Sequence, residues 1–231
     1  MHDFDGTDGA YPDAALIQAT DGTLYGATVV DGANGYGTVF SMTSGGTLTT
    51  IHSFDATDGA EPYATLVQAT NGIFYGTTAE GGTANCSLGQ PCGTVFSITA
   101  GGTLTTLHSF DGADGNGPQA AVVQHTNGTF YGVTYNGGAS NYGTIFSLAV
   151  GLHPFVKTLP TSGTVGAHVK ILGTNLTGAT KVTFNGTAAT FHVVSSSEIT
   201  TTVPAGATTG KVKVVTPHRT LTSNVKFRVT P

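Results

Sequence analysis

Short stretches of alternating apolar and polar residues, broken by glycine-rich turns, fill residues 1–154, and no window shows the 3.6-residue period of a helix. Residues 14–20 run into Asp21-Gly22 and then into residues 23–28. Asn71-Gly72 and Asn127-Gly128 stand at the same point further along. Asp-Gly or Asn-Gly between alternating segments predicts a tight hairpin with a type I′ turn, both of whose central residues need positive φ. Residues 37–42 predict a third strand, matched by 93–98 and 143–148. Residues 47–51 predict a fourth, matched by 103–107 and entered from a Gly-Gly turn.

The pattern is a repeat. His-Asp-Phe-Asp-Gly-Thr-Asp-Gly at 2–9 returns as His-Ser-Phe-Asp-Ala-Thr-Asp-Gly at 52–59 and as His-Ser-Phe-Asp-Gly-Ala-Asp-Gly at 108–115. The copies start 50 and 56 residues apart, and the extra residues of the second lie in the loop around Cys86 and Cys92. A period near 50 belongs to propellers, solenoids or arrays. Four short antiparallel strands per copy predict propeller-like blades over 2–51, 52–107 and 108–154. The third copy has no Thr-Leu-Thr-Thr segment, and Met1 to Phe4 reads as the end of a fourth strand. A propeller needs about four to eight blades, so three point to a piece of a longer chain, to two chains completing a six-bladed ring, or to a solenoid-like stack.

These motifs, together with Tyr-Gly-x-Thr and Gly-Thr-Val-Phe, resemble the Gloeobacter/Verrucomicrobia tandem repeat over about residues 2–150. The resemblance implies a predicted surface or secreted bacterial protein and carries no established activity with it. From residue 155 the texture changes to Thr/Val-rich alternation. Candidate strands are 156–159, 169–172, 181–184, 189–194, 198–203, 210–215 and 225–229, with a hairpin at Asn185-Gly186. Seven short strands in a segment of this size suit a small sandwich. Pro160-Thr-Ser-Gly163, Gly173-Thr-Asn-Leu176, Val182-Thr-Phe-Asn-Gly186 and Val203-Pro-Ala-Gly206 resemble the IPT/TIG domain, which implies an Ig-like fold over 155–231 and a spacer, adhesion or accessory role. The expected class is all-β: three blades followed by a sandwich.

Charge divides at the same boundary. Residues 1–156 hold twelve acids and no Lys or Arg, a charge of −12; residues 157–231 hold eight bases and Glu198, a charge of +7. A body without cations cannot neutralise phosphates, so nucleic acid is excluded as its partner. No apolar run reaches the roughly 18 residues of a membrane span.

Candidate chemistry is sparse. Asp5/Asp8, Asp55/Asp58 and Asp111/Asp114 each precede Gly in a tight loop, where paired carboxylates suit calcium. The competing role, Asx-turns that accept backbone N–H groups, is the stronger one. His2, His52 and His108 share one repeat position and read as scaffold. Tyr36, Tyr135 and Tyr142 fall in Gly/Asn-rich loops, where an exposed ring is a platform for a sugar face. Glu61 and Glu80 are carboxylates that a glycosidase or lyase could pair with an Asp, although nothing in the sequence selects such a pair. No nucleophile-elbow, zinc-protease or nucleotide-binding motif is present.

The expected function is a non-enzymatic adhesion, matrix or glycan-binding module, secreted or on the cell surface. The alternatives are a polysaccharide-active enzyme and a fibre subunit joined through its oppositely charged halves. Met1 opens no signal peptide, so a precursor is expected to extend upstream. Cys86 and Cys92, inside the one insertion, suit a local disulfide better than a metal pair, which argues for an oxidising compartment. The disulfide is checked by intact mass, which should rise by about 2 Da on reduction of the native protein. Free thiols in air-exposed protein would instead support the redox or metal reading.

Overall fold

The computed structural model describes residues 1–84 and 92–231, and every regular element among them is a strand. The chain divides into two units, one of residues 1–124 and 130–148, the other of 125–129 and 149–231.

In the first unit each repeat folds as an antiparallel meander. The first sheet is β1 (Ile17–Gln18), β2 (Leu24–Thr28), β3 (Thr38–Met42) and β4 (Leu48–Ser53). The second is β5 (Val67–Gln68), β6 (Phe74–Thr78), β7 (Thr94–Ile98) and β8 (Leu104–Ser109). The third has three strands, β9 (Val123–Gln124), β10 (Phe130–Val133) and β11 (Ile145–Leu148), because residues 149–154 lack the Thr-rich segment that makes β4 and β8.

The hairpin between the first two strands differs from the expected type I′ turn. Only the glycine has positive φ (Gly22 +91°, Gly72 +83°, Gly128 +96°), and its N–H donates to the carbonyl three residues back, as Gly22 does to Ala19 at 2.9 Å. The loop is therefore a three-residue connection ending in a left-handed glycine. The preceding Asp or Asn uses its side chain locally: Asp21 Oδ1 accepts the N–H of Thr23, and Asn71 Oδ1 that of Ile73.

Both faces of these sheets are apolar because the sheets stack face to face, the second lying between the first and the third. On β2 and β3, Tyr25, Ala27 and Val39 share one face, while Leu24, Phe40 and Met42 share the other. The Tyr25 ring lies 4.1 Å from that of Phe74 in the next repeat, and Tyr75 lies 4.2 Å from Phe130. Around the first of these contacts, Ala19, Tyr25 and Val39 of one repeat bury against Phe54, Leu66, Phe74, Phe96 and Ile98 of the next. Strand β6 is consequently buried at every position, whereas β10 alternates between buried and exposed.

The Tyr-Gly motif follows from this packing. Phe96 lies across Gly76, where an added Cβ would fall 2.5 Å from the ring and 2.8 Å from Leu66. Only a residue without a side chain lets the ring cross the strand there.

The second unit is a two-sheet sandwich. One sheet orders β12 (Lys157–Leu159), β14 (His168–Leu172), β18 (Glu198–Thr202) and β17 (Phe191–Val193). The other orders β13 (Ser162–Gly163), β20 (Thr220–Val229), β19 (Gly210–Val215), β15 (Lys181–Phe184) and β16 (Thr187–Ala189). Val156, Ile171, Leu176, Phe184, Ile199, Val212, Leu221 and Phe227 form the core between them. The single strand expected over 189–194 is two strands in different sheets, which part at Thr190, whose carbonyl accepts the Thr201 hydroxyl at 2.6 Å. The Asn185-Gly186 hairpin has both residues at positive φ (45° and 95°), as a type I′ turn requires.

Replacing Gly76 with Ala should destabilise the first unit by about 1–3 kcal/mol, the usual cost of overpacking, read as a lower urea midpoint. Gly76 is not among the glycines at positive φ, so the loss reads the contact with the Phe96 ring and not left-handed strain. An unchanged midpoint would show that the Phe96 ring does not set the requirement.

Candidate functional site

The repeated histidines and aspartates form one motif per repeat. His2 Nε2 meets Asp8 Oδ2 at 2.5 Å, His52 meets Asp58 at 2.7 Å, and His108 meets Asp114 at 2.6 Å. Each imidazole also stands edge-on to the Phe two residues on, with ring centres 4.8–5.2 Å apart. The second carboxylate oxygen of Asp58 accepts the N–H of Asp55, and Asp55 Oδ1 accepts the N–H and hydroxyl of Thr57. The same bonds recur at Asp5/Asp8 with Thr7 and, without a hydroxyl, at Asp111/Asp114 with Ala113.

A pair of threonines ties this loop to its own sheet. Thr78 and Thr94 share a hydroxyl bond of 2.9 Å, and Thr94 Oγ1 donates to the Asp58 carbonyl at 3.2 Å. Thr28/Thr38 with Asp8 and Thr134/Thr144 with Asp114 repeat the arrangement. The six aspartates that suggested calcium thus accept donors of their own loops. Among the described residues no group of three or more His, Cys, Asp or Glu side chains gathers as a metal site.

Hydrogen bonding holds Asp5, Asp55 and Asp111 below the usual carboxylate range. The first cause is the threonine hydroxyl for Asp5 and Asp55, and the Asp114 N–H for Asp111. A depressed acid pKa stabilises the fold at neutral pH, and that stabilisation fades as pH falls through the lowered values.

A different cluster forms at the end of the sheets where the β2–β3 and β6–β7 connections lie. Glu61 N donates to the Tyr36 carbonyl at 3.2 Å, joining the first repeat to the second. Ala60 and Glu80 exchange both backbone bonds, at 2.8 and 3.0 Å. The Tyr63 phenol is raised by partial burial, then by the Glu61 charge, and is hydrogen-bonded to Glu61. The Glu80 carboxyl is raised first by partial burial and then by Glu61. Tyr36, Glu61, Tyr63 and Glu80 therefore form a tyrosine-edged acidic patch. The sequence named Tyr36, Glu61 and Glu80 but did not join them, and it passed over Tyr63.

At the matching end of the third repeat, Tyr135 and Tyr142 stand 70% and 92% exposed. Tyr135 N donates to the Gly117 carbonyl at 3.0 Å, in the position where Ala79 meets Glu61. Tyr11, also exposed, occupies the repeat position of Glu61 and Gly117, in the left-handed region at φ 56°. Cys92 is fully buried beside Val95 and Phe110, while Cys86 lies outside the described residues.

The first repeat also carries an open apolar cleft of about 490 Å³ lined by Phe4, Leu16, Leu24, Phe40, Met42 and Leu48 among others. No motif announced it, because its residues look like ordinary core.

Stacked meander sheets with one His-Asp-Thr scaffold apiece define an all-β tandem-repeat protein. The chain belongs to the Gloeobacter/Verrucomicrobia repeat family, whose model matches residues 1–192. No curated protein matches it. Among solved structures it is similar to a novel fungal alcohol oxidase of the AA5 family in complex with copper, at 12% identity and a TM-score of 0.45, over 96% of this chain and 55% of that one. It is also similar to a putative 6-phosphogluconolactonase from Bacteroides uniformis, at 14% identity and a TM-score of 0.36, over 93% and 70% of the two chains. The chain spans about half the length of the first of these.

The loop chemistry is checked by acid. The melting temperature should hold above the ordinary aspartate range, about pH 4, and fall as pH drops below it through the lowered values. Asp55→Asn, whose neutral oxygen can accept the same donors, should flatten that dependence. An unchanged acid dependence would place its source outside these loops.

Proposed function

We propose that this protein is a non-enzymatic carbohydrate-binding or adhesion module, secreted or displayed on a bacterial surface, that grips a polymer along the loop end of its repeats. The observation that carries this reading is the rim itself. Tyr11, Tyr135 and Tyr142 are exposed and Tyr36 stands beside Glu61, on loops held by backbone bonds between strands and between repeats. Aromatic faces pack against the apolar face of a sugar ring, and carboxylates accept its hydroxyls. Rigid loops lower the entropic cost of binding. In this reading the sandwich over 155–231 is an IPT/TIG-type spacer, the repeats are propeller-type blades, and a Cys86–Cys92 disulfide ties the insertion.

Binding to a panel of soluble bacterial and plant polysaccharides, followed by affinity electrophoresis, tests the proposal. Tyr135→Ala and Tyr142→Ala should each weaken the bound polymer by about 1 kcal/mol, roughly fivefold in Kd. Unchanged retardation in the double variant would remove the rim from the site.

A second reading rests on the Glu61–Glu80 pair. A carboxyl raised by partial burial and then by a neighbouring carboxylate is an arrangement a glycoside hydrolase can use for its acid and base. Release of reducing ends from a bound polymer, abolished by Glu80→Gln, would favour the enzyme over the binding module.

A further inference from the structure

The three repeats of the first unit stack in one direction, and each internal junction uses the same parts. At the first, Phe54 N donates to the Gly37 carbonyl and Glu61 N to the Tyr36 carbonyl. At the second, Phe110 N donates to Gly93 and Gly117 N to Cys92, at 3.0 Å each. Thr20 N donates to the Gln68 amide oxygen, and Thr70 N to that of Gln124. Tyr25 meets Phe74, and Tyr75 meets Phe130. One face of a repeat is thus a plug and the opposite face a socket.

The stack leaves one of each unused. The cleft of the first repeat is its socket: Phe4, Leu16, Leu24, Phe40, Met42 and Leu48 hold the repeat positions of Phe54, Leu66, Phe74, Phe96, Ile98 and Leu104. It is already shaped for an occupant, since Phe4 and Phe40 stand edge-on at 5.3 Å, as Phe54 and Phe96 do. Leu16 is 46% exposed where Leu66 is 2%. The third repeat keeps a plug: Val123, Val133 and Ile145 hold the positions of Val67, Thr77 and Val95. Ile145 is 82% exposed where Val95 is 1%.

We propose that the third repeat of one copy of this chain docks into the first repeat of a second copy, in the way the repeats already dock within the chain, so that two copies close on each other with six stacked sheets. The occupant follows from the internal junctions, which show what this socket accepts: the outer face of another such repeat. The backbone fits as well. Strand β11 lacks the fourth strand that β4 and β8 supply to β3 and β7, where Val39 pairs with His52 and Val95 with His108. In the same register His2 of the second copy lies opposite Ile145, and its Phe4 N–H faces the Gly143 carbonyl. The contact is heterologous, plug to socket, and two such contacts close the pair. It joins surfaces of the same acidic unit, so added salt should tighten it by screening, whereas pairing through the −12 and +7 regions would loosen.

The test is the mass of the full chain by light scattering at roughly 50 µM, a concentration chosen because association follows mass action. The expected mass is twice 23.3 kDa, persisting at high salt. Leu16→Glu spoils the socket and Ile145→Glu the plug. Both residues are exposed in the single chain, so both variants should fold, melt like the wild type at dilution where it is monomeric, and run as monomers at the test concentration. Mixing the two should restore a dimer, because one sound socket then meets one sound plug. A monomeric wild type, a dimer that survives either substitution, or variants that stay monomeric when mixed would overturn the proposal. Polymers that either substitution dissolves would keep the contact and overturn closure at two copies. A dimer that dissolves in salt would assign association to charge.

Discussion

The first unit depends on the stacking of one small sheet on the next. A meander whose strands run from two to six residues cannot bury enough apolar surface against itself to offset the entropy of ordering its chain. Each sheet therefore presents apolar residues on both faces, and the tyrosine of the second strand lies on the aromatic ring of the following repeat. Other features of the motif serve that contact. The glycine after the tyrosine admits the crossing phenylalanine, the threonine pair anchors the aspartate loop, and the histidine fixes the second aspartate. Scaffold chemistry occupies most of the polar residues that the repeat keeps, so function falls to residues that vary between the copies.

Those variable positions explain the candidate site. The repeat position of Tyr11 is Glu61 in the second copy and Gly117 in the third; that of Tyr36 is Cys92 and then Tyr142. The junction uses only backbone atoms at these positions, Glu61 N to the Tyr36 carbonyl and Gly117 N to that of Cys92, so the side chain can differ between copies. At the loop end these positions carry tyrosines and carboxylates on fixed backbone.

Much of the fold was legible because period-two alternation and a repeated octapeptide act at short range. The missing fourth strand of the third repeat could be read from the absent Thr-Leu-Thr-Thr segment. The turn at Asp21-Gly22 was misread because the dipeptide leaves the loop length open, and the chain closes it one residue wider. The strand expected over 189–194 divides because a change of sheet at Thr190 depends on tertiary packing, which alternation alone does not report. The approach of Glu61 to Glu80 and to Tyr36 is long-range in the same sense. The socket was hidden for the opposite reason. Phe40 and Leu24 have the residue types of a core, and only the absence of a covering sheet among the described residues distinguishes them from Phe96 and Phe74.

The account's central claim, that every repeat of this type is completed by a neighbour, is tested most directly by amide hydrogen exchange at three equivalent positions, Phe4, Phe54 and Phe110. Phe54 N and Phe110 N are bonded across internal junctions, so both should be protected at all concentrations. Phe4 should match them when copies associate and lose its protection on dilution. Phe4 exchanging freely at every concentration, with the other two protected, would contradict the claim.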